Sequence, residues 1–307
     1  MCLKNKKMEA IITIVGFLGA GKTTVLKYLL EHYSNEGWRP FVILNDYENA
    51  TIDAQQIAHK IGLNSIKPLS GSCICCSGIV ALRDTVNRIP ERKDGITFIE
   101  ANGTSDACSL MEFLGVGLHK RFLPPIQISV VDVKNWQQRG EHNALEANQI
   151  QVSSVLILTH LKNVHSNRKA QVIRELKKLN PSAKVLNMNR LGALLLPELV
   201  PSKNRAQKFE HQKAHWASCS VDLPDIPNTA SIHAICAALP KSILRVKGCT
   251  RIQGDLNFTY FERTPSGEVH IRPFNGIPIT GSKLLSIGPG STPALLENAI
   301  KKRITVV

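Results

Sequence analysis

Eight consecutive residues, Gly16-Phe17-Leu18-Gly19-Ala20-Gly21-Lys22-Thr23, constrain this chain more tightly than any other stretch. They fit the spacing G-x-x-x-x-G-K-[ST] without a mismatch, and their flanks have the character that this spacing demands. Upstream, Ala10 to Val15 is a continuous apolar and β-branched run, as a strand buried on both faces requires. Downstream, between Thr23 and Tyr33, the residues Val25, Leu26, Leu29 and Leu30 recur at helical spacing. A strand, a glycine loop and a helix in that order form a phosphate cradle. Successive backbone N–H groups curl around the anion, and the positive end of the helix faces it. In this reading Gly16, Gly19, Ala20 and Gly21 shape the cradle and Lys22 reaches the terminal phosphate oxygens. Thr23, followed by Thr24, offers its hydroxyl to Mg²⁺.

The rest of the first 200 residues repeats the alternation. Short apolar runs at Phe41 to Leu44, Thr97 to Ile99, Ile126 to Val131 and Val155 to Leu158 are separated by amphipathic stretches such as Ile79 to Arg88 and Arg168 to Leu179. Strands that alternate with helices predict an α/β fold with a mostly parallel sheet, here a P-loop nucleoside triphosphatase domain over residues 1–200. The Pro- and charge-containing stretch Pro197 to Lys213 reads as a linker. Beyond it, a smaller α+β domain over residues 214–307 is expected. It opens with the segment Trp216 to Val221 and a helix around Ile232 to Leu239, followed by strands at Ile243 to Cys249, Phe258 to Glu262, Val269 to Pro273 and Leu284 to Ile287 and a final helix near Pro293 to Ile300.

Lys4, Lys6 and Lys7 ahead of the apolar stretch Ala10 to Gly21 imitate a signal peptide, but that stretch runs into Gly-Lys-Thr-Thr without a small-residue cleavage site. No run approaches the ~18 apolar residues of a membrane span. A cytosolic protein is expected, with no membrane partner and with its eight cysteines reduced. The net charge of +14 raises a nucleic-acid reading, because residues 160–213 hold twelve Lys or Arg against three Asp or Glu. Aromatics make up only 5% of the chain and Phe209 is the one Phe, Tyr or Trp in that stretch, so there is no interleaving of the kind single-strand binders use; a solvated basic face is the better account and nucleic acid is not the expected partner.

Two further features carry chemistry. Glu100 closes the apolar run Ile96 to Ile99, where a carboxylate can hold Mg²⁺, and Gly103, three residues on, can offer its N–H to a γ-phosphate. Cys73-Ile74-Cys75-Cys76 lies in a Gly/Ser-rich loop, and three thiols so close together form a soft site suited to Zn²⁺ or Cu(I). No second C-x-x-C or His pair completes a structural zinc site, which points to an exchangeable one. Cys2, Cys108, Cys219, Cys236 and Cys249 are isolated and read as packing residues, and His59, His119, His160 and His165 have no metal-ligand spacing.

A phosphate cradle, a C-x-C-C loop and Glu100-Ala-Asn-Gly103 in this order resemble the CobW-type metallochaperone GTPases, relatives of the nickel-insertion GTPases of hydrogenase and urease. Asn45 to Asp53 is similar to the family's first switch segment, and Val131-Asp132, Leu244 to Gly248 and Ser286 to Gly288 also fit the family's order. The resemblance implies GTP hydrolysis that switches a metal site between binding and release, with zinc or cobalt as cargo. It also implies a client metalloprotein as partner, and leaves open a homodimer. Carried over by position, Lys22, Asp46, Asp53 and Glu100 serve the hydrolytic cycle, and Cys73, Cys75 and Cys76 bind the metal. Departures are Asp46 in place of Glu, Ser72 in place of Gly, and the lack of a histidine-rich tract.

The family's guanine-reading Asn-Lys-x-Asp is replaced by Thr159-His160-Leu161-Lys162, so a cation stands where an acceptor pair is expected. His160 can still stack on a base. GTP and ATP affinities within about tenfold are therefore expected, unless Asn187 to Asn189 supply the acceptor. Two other readings stay open on the residues alone: a kinase or ATPase acting on a small molecule, and a nucleotide-binding regulatory module that does not hydrolyse.

Overall fold

The central strand β1 (Ala10–Val15) is buried at all six positions, so both of its faces are covered. In the computed structural model, which describes residues 9–45, 54, 57–58, 60–69, 78–114, 117–191, 218–243, 245–264, 266–274, 276–278, 281–288 and 290–304, the chain divides into two compact units near residue 214. After β1 come α1 (Lys22–Asn35), β2 (Arg39–Asn45), β3 (Ile66–Leu69), α2 (Gly78–Arg88), β4 (Gly95–Glu100), α3 (Ala107–Leu114) and β5 (Ile126–Asp132). Then follow α4 (Asn143–Gln151), β6 (Val155–Thr159), α5 (Ser166–Leu179) and β7 (Lys184–Asn187). Among the described residues these strands form one seven-stranded sheet in the order β3-β2-β4-β1-β5-β6-β7. All of its pairs are parallel, as the alternation of strands and helices predicts.

The helices close the faces. Leu82 and Val86 of α2 and Leu110 and Leu114 of α3 pack in one core with Ile11, Val15, Ile43 and Ile99. Val172 and Leu176 of α5 pack with Val131, Leu156 and Leu158, while α1 buries Val25, Leu26, Leu29, Leu30 and Tyr33. The chain leaves β1 for β2 on one side and later returns to add β5 on the other, so the strand order reverses around β1. A crevice opens at the carboxyl ends of the strands at such a point.

Sequence patterning misses β3, β7, α3 and α4. The edge strand β3 reads Ile-Lys-Pro-Leu, with a proline that a central strand would exclude. The helix α4 is rich in Asn, Gln and Glu yet buries Glu146, Asn148 and Gln149, so its polarity hides its position. The expected linker Pro197 to Lys213 lies outside the described residues.

The second unit contains β8 (Ser218–Asp222), α6 (Thr229–Ala238), β9 (Arg245–Arg251), β10 (Phe258–Arg263), β11 (Val269–Phe274), β12 (Lys283–Ile287) and α7 (Pro293–Ile304). Its five strands run in the order β11-β10-β9-β12-β8, and every pair is antiparallel. Ile232 and Ile235 of α6 and Leu296 and Ile300 of α7 pack with Val246, Phe261 and Leu284. The Asn228 side chain caps α6 by accepting from the Ser231 N–H. At its other end Arg263 donates to the carbonyls of Cys236 and Leu239 at 2.7 and 2.9 Å, satisfying groups that a helix end leaves open.

Candidate nucleotide-binding site

Between β1 and α1 the backbone takes conformations that only glycine adopts without strain. Gly16 has φ +144°, and a Cβ there would lie 2.5 Å from the Val130 carbonyl oxygen. Gly21, at φ +94°, precedes the first turn of α1, and its carbonyl accepts from the Val25 N–H at 3.0 Å. Among the described residues no side chain caps that first turn, and no acidic residue belongs to it, so its backbone N–H groups and the positive helix end face the loop. Lys22 is buried, and its ammonium curls back over the loop to donate to the Gly16 carbonyl at 3.0 Å. That places a desolvated cation above the ring of backbone donors.

Glu100 ends β4, which pairs with both β1 and β2: Ile14 and Leu44 stand opposite it. Thr23 donates its hydroxyl to Glu100 Oε1 at 2.8 Å, across 77 residues of sequence. A hydroxyl and a carboxylate converging beside an anion cradle are hard oxygen donors of the kind Mg²⁺ takes, so the residues fit that ion. Next to them, Gly103 presses on the cradle, since a Cβ there would lie 2.7 Å from the Leu18 backbone nitrogen. Gln149 of α4 fixes this loop from behind by donating to the Gly103 and Ser105 carbonyls at 3.2 and 3.3 Å. Among the described residues, buried Asn45 at the end of β2 has no hydrogen-bond partner for either amide atom, and the amide nitrogen of buried Asn102 has none either. Orphaned polar atoms beside Glu100 mark a place where a polar ligand or water completes the structure.

On the opposite flank, the end of β6 is tied to the cradle. Thr159 Oγ1 lies 2.8 Å from the Ala20 carbonyl and 2.9 Å from that of Val131. His160 Nε2 lies 2.9 Å from the Gly19 carbonyl, which can only accept, so this nitrogen carries the proton. Both His160 and Asn163 adopt left-handed conformations, at φ +51° and +61°. Lys162 between them is exposed.

A cluster that sequence reasoning did not find supports the cradle from the side. The Arg139 guanidinium lies 4.8 Å from the centroid of the Phe17 ring, pairs with Asp132 at 3.1 Å and stands 3.8 Å from Glu146. Burial pushes the Glu146 carboxyl up to about 7, although it accepts from the Gln137 N–H at 2.8 Å. Burial also lowers the His142 pKa, and its ring stacks 6.1 Å from that of Phe17. Spacing gives no signal for this cluster, because β5, the turn after it and α4 meet only in the folded chain.

The structure therefore brings Gly16, Gly19, Ala20, Gly21, Lys22, Thr23, Glu100, Gly103, Thr159 and His160 together around one loop. Thr24 is exposed on the first turn of α1. Asp46, Asp53, Cys73, Cys75 and Cys76 lie outside the described residues. Among the described residues no group of three or more His, Cys, Asp or Glu side chains can hold a metal ion. Cys108, Cys219, Cys236 and Cys249 are buried thiols, and burial pushes Cys236 up to about 11 and Cys249 up to about 12. That suits packing rather than ligation. No helix among the described residues is long and apolar enough to cross a membrane.

Comparison with known proteins agrees with this geometry. The profile of the CobW/HypB/UreG nucleotide-binding domain matches residues 10–187. The chain is similar to the zinc chaperone YjiA of Escherichia coli, at 25% identity over 276 residues, 82% of this chain and 85% of that protein. It is also similar to the zinc chaperone CobW of Pseudomonas aeruginosa, at 25% identity over 300 residues, 82% of this chain and 79% of that one. A third relative is the zinc-regulated GTPase metalloprotein activator 1 of Dictyostelium discoideum, 26% identical over 214 residues, which cover 57% of this chain and 45% of that protein.

Proposed function

This chain belongs to the CobW/HypB/UreG family, and from that premise we propose that it binds and hydrolyses GTP and couples the cycle to binding and delivering zinc. One observation carries the reading: Lys22 is folded over the cradle while Thr23 reaches Glu100, which joins a phosphate site to a hard-cation site at a single helix start. Lys22 compensates β- and γ-phosphate charge, and the backbone N–H groups between Gly16 and Thr23 orient the phosphates. Thr23 and Glu100 would hold Mg²⁺, which when bound supplies further charge compensation for the phosphates. Gly103 and the switch residues Asp46 and Asp53 respond to the terminal phosphate.

Cys73, Cys75 and Cys76 take up the cargo as thiolates. Zinc is the first cargo, and cobalt is a second that the same donors accept. Residues 1–200 form the nucleotide domain and residues 214–307 the CobW-type C-terminal domain, with a client metalloprotein as partner in a reducing cytoplasm and a homodimer as a further assembly. Relatives named zinc chaperones and a zinc-regulated GTPase support this reading over a small-molecule kinase.

The test is zinc analysis of protein purified under reducing conditions, with and without a non-hydrolysable GTP analogue, alongside a variant with all three cysteines replaced by Ser. The natural chain should change its bound zinc when the analogue is added. The variant should lose tight binding and the proton release that thiolate ligation requires. Wild-type zinc stoichiometry in the variant would place the cargo site elsewhere, and turnover that depends on a small-molecule acceptor would favour the kinase reading.

A further inference from the structure

The flank of the cradle opposite Glu100 is where the base of a bound nucleotide must rest. A terminal phosphate would meet Glu100 and Gly103 on the β4 side of β1, which directs sugar and base over the carboxyl ends of β5, β6 and β7. The segment after β6 is anchored to the phosphate loop, with Thr159 bonded to Ala20 and the His160 ring to Gly19. Two left-handed residues, His160 and Asn163, bracket the turn that displays Lys162 to solvent. Beside it, Asn187 at the end of β7 leads into the short 3₁₀ turn Met188–Arg190.

Among the described residues, the exposed charge on this flank has one sign. From Thr159 to His165 and from Asn187 to Leu191 there is no carboxylate, so the amide acceptors of Asn163, Asn187 and Asn189 are neutral, while Lys162 and Arg190 are exposed cations. The one carboxylate at the end of β5, Asp132, is buried and engaged by Asn135 and Arg139 at 2.8 and 3.1 Å. Guanine presents two donors side by side, N1–H and the N2 amino group, and a site discriminates in their favour only by offering acceptors that another base leaves unpaired. A cation instead meets acceptors: adenine N1, or the 2-oxo group of xanthine.

We infer that this nucleotide site does not select guanine, and that Lys162 sets its preference toward bases carrying an acceptor on the edge that guanine fills with donors. The inference rests on the nucleotide-site reading above and widens its substrate class from GTP to purine nucleoside triphosphates. His160 retains the mechanical part, holding the base-side turn to the phosphate loop, while Lys162 changes what the turn reads.

Competition against a fluorescent GTP analogue decides it, with GTP, ATP, ITP and XTP as competitors for the full-length natural chain and for Lys162→Asp. For the natural chain, GTP and ATP should compete within about tenfold of each other. ITP, which lacks only the N2 amino group, should match GTP, and XTP should compete at least as well as GTP. Lys162→Asp, a change at an exposed residue, should raise the GTP-to-ATP ratio at least tenfold and weaken XTP. A preference for GTP over ATP beyond a hundredfold in the natural chain, or a tenfold loss on going from GTP to ITP, would overturn the inference and leave the nucleotide site standing. Failure of all four nucleotides to compete would overturn both.

Discussion

Replacing Gly103 by Ala tests whether the loop after β4 reads the phosphate cradle by direct contact. The added Cβ would lie 2.7 Å from the Leu18 backbone nitrogen and 2.6 Å from its Cδ2. Non-bonded carbon contacts settle near ~3.5 to 4.0 Å, so the two segments must separate by roughly half an ångström or more. The Leu18 side chain is buried and cannot swing away, so its backbone moves, and Leu18 belongs to the cradle. Overpacking of this kind costs about 1 to 3 kcal/mol of stability. A displacement approaching 1 Å at a positioning element costs ~10²-fold in rate, so a fall in kcat of roughly ten- to hundredfold is expected.

Single-turnover GTP hydrolysis and calorimetric titration with GDP and a non-hydrolysable analogue separate the effects. The loss should be larger for the analogue than for GDP, because Gly103 stands at the terminal-phosphate end. Gly37→Ala serves as control: φ is +80° there but a Cβ meets nothing within 4 Å, so it strains the fold without touching the cradle. Wild-type turnover in Gly103→Ala, or an equal kinetic loss in Gly37→Ala, would refute contact between the two loops as the cause.

Lys22→Ala should remove most triphosphate affinity in a titration while circular dichroism and the unfolding midpoint stay near wild type, since the ammonium satisfies loop carbonyls rather than packing the core; unchanged affinity would sink the cradle assignment. Glu146→Gln should flatten the pH dependence of stability. The folded-state pKa is raised from 4.5 to about 7 by burial, so the native state prefers the protonated form. Its stability contribution is full below pH ~4.5 and is lost as pH rises through ~7, a loss on the order of 3 kcal/mol. Urea unfolding should therefore show the variant gaining on the natural chain between pH 5 and pH 8, and parallel curves would rule the effect out.

Local chemistry made half of the nucleotide site legible before any coordinates. A β-branched run, three glycines and a Lys-Thr pair define a strand, a left-handed loop and a helix start within 20 residues, and nothing distant is needed to shape them. The parallel sheet was readable for a similar reason, because strands buried on both faces are apolar at every position. The base-side departure was visible too, since Lys162 changes a charge wherever the backbone places it.

What only the tertiary structure decided are the meetings between residues far apart in sequence. Thr23 finds Glu100 because β4 inserts between β1 and β2, an order that chain sequence does not state. Arg139 lands on Phe17, Gln149 on Gly103, and His160 on Gly19 because carboxyl ends of non-consecutive strands share one crevice. The edge strands β3 and β7 and the helix α4 stayed hidden because their composition follows neighbours rather than local propensity. An edge strand tolerates Lys and Pro, and a buried helix accepts Glu and Gln once other loops supply partners for them. Periodicity reports which residues leave water, and the folded backbone alone reports which residues they then meet.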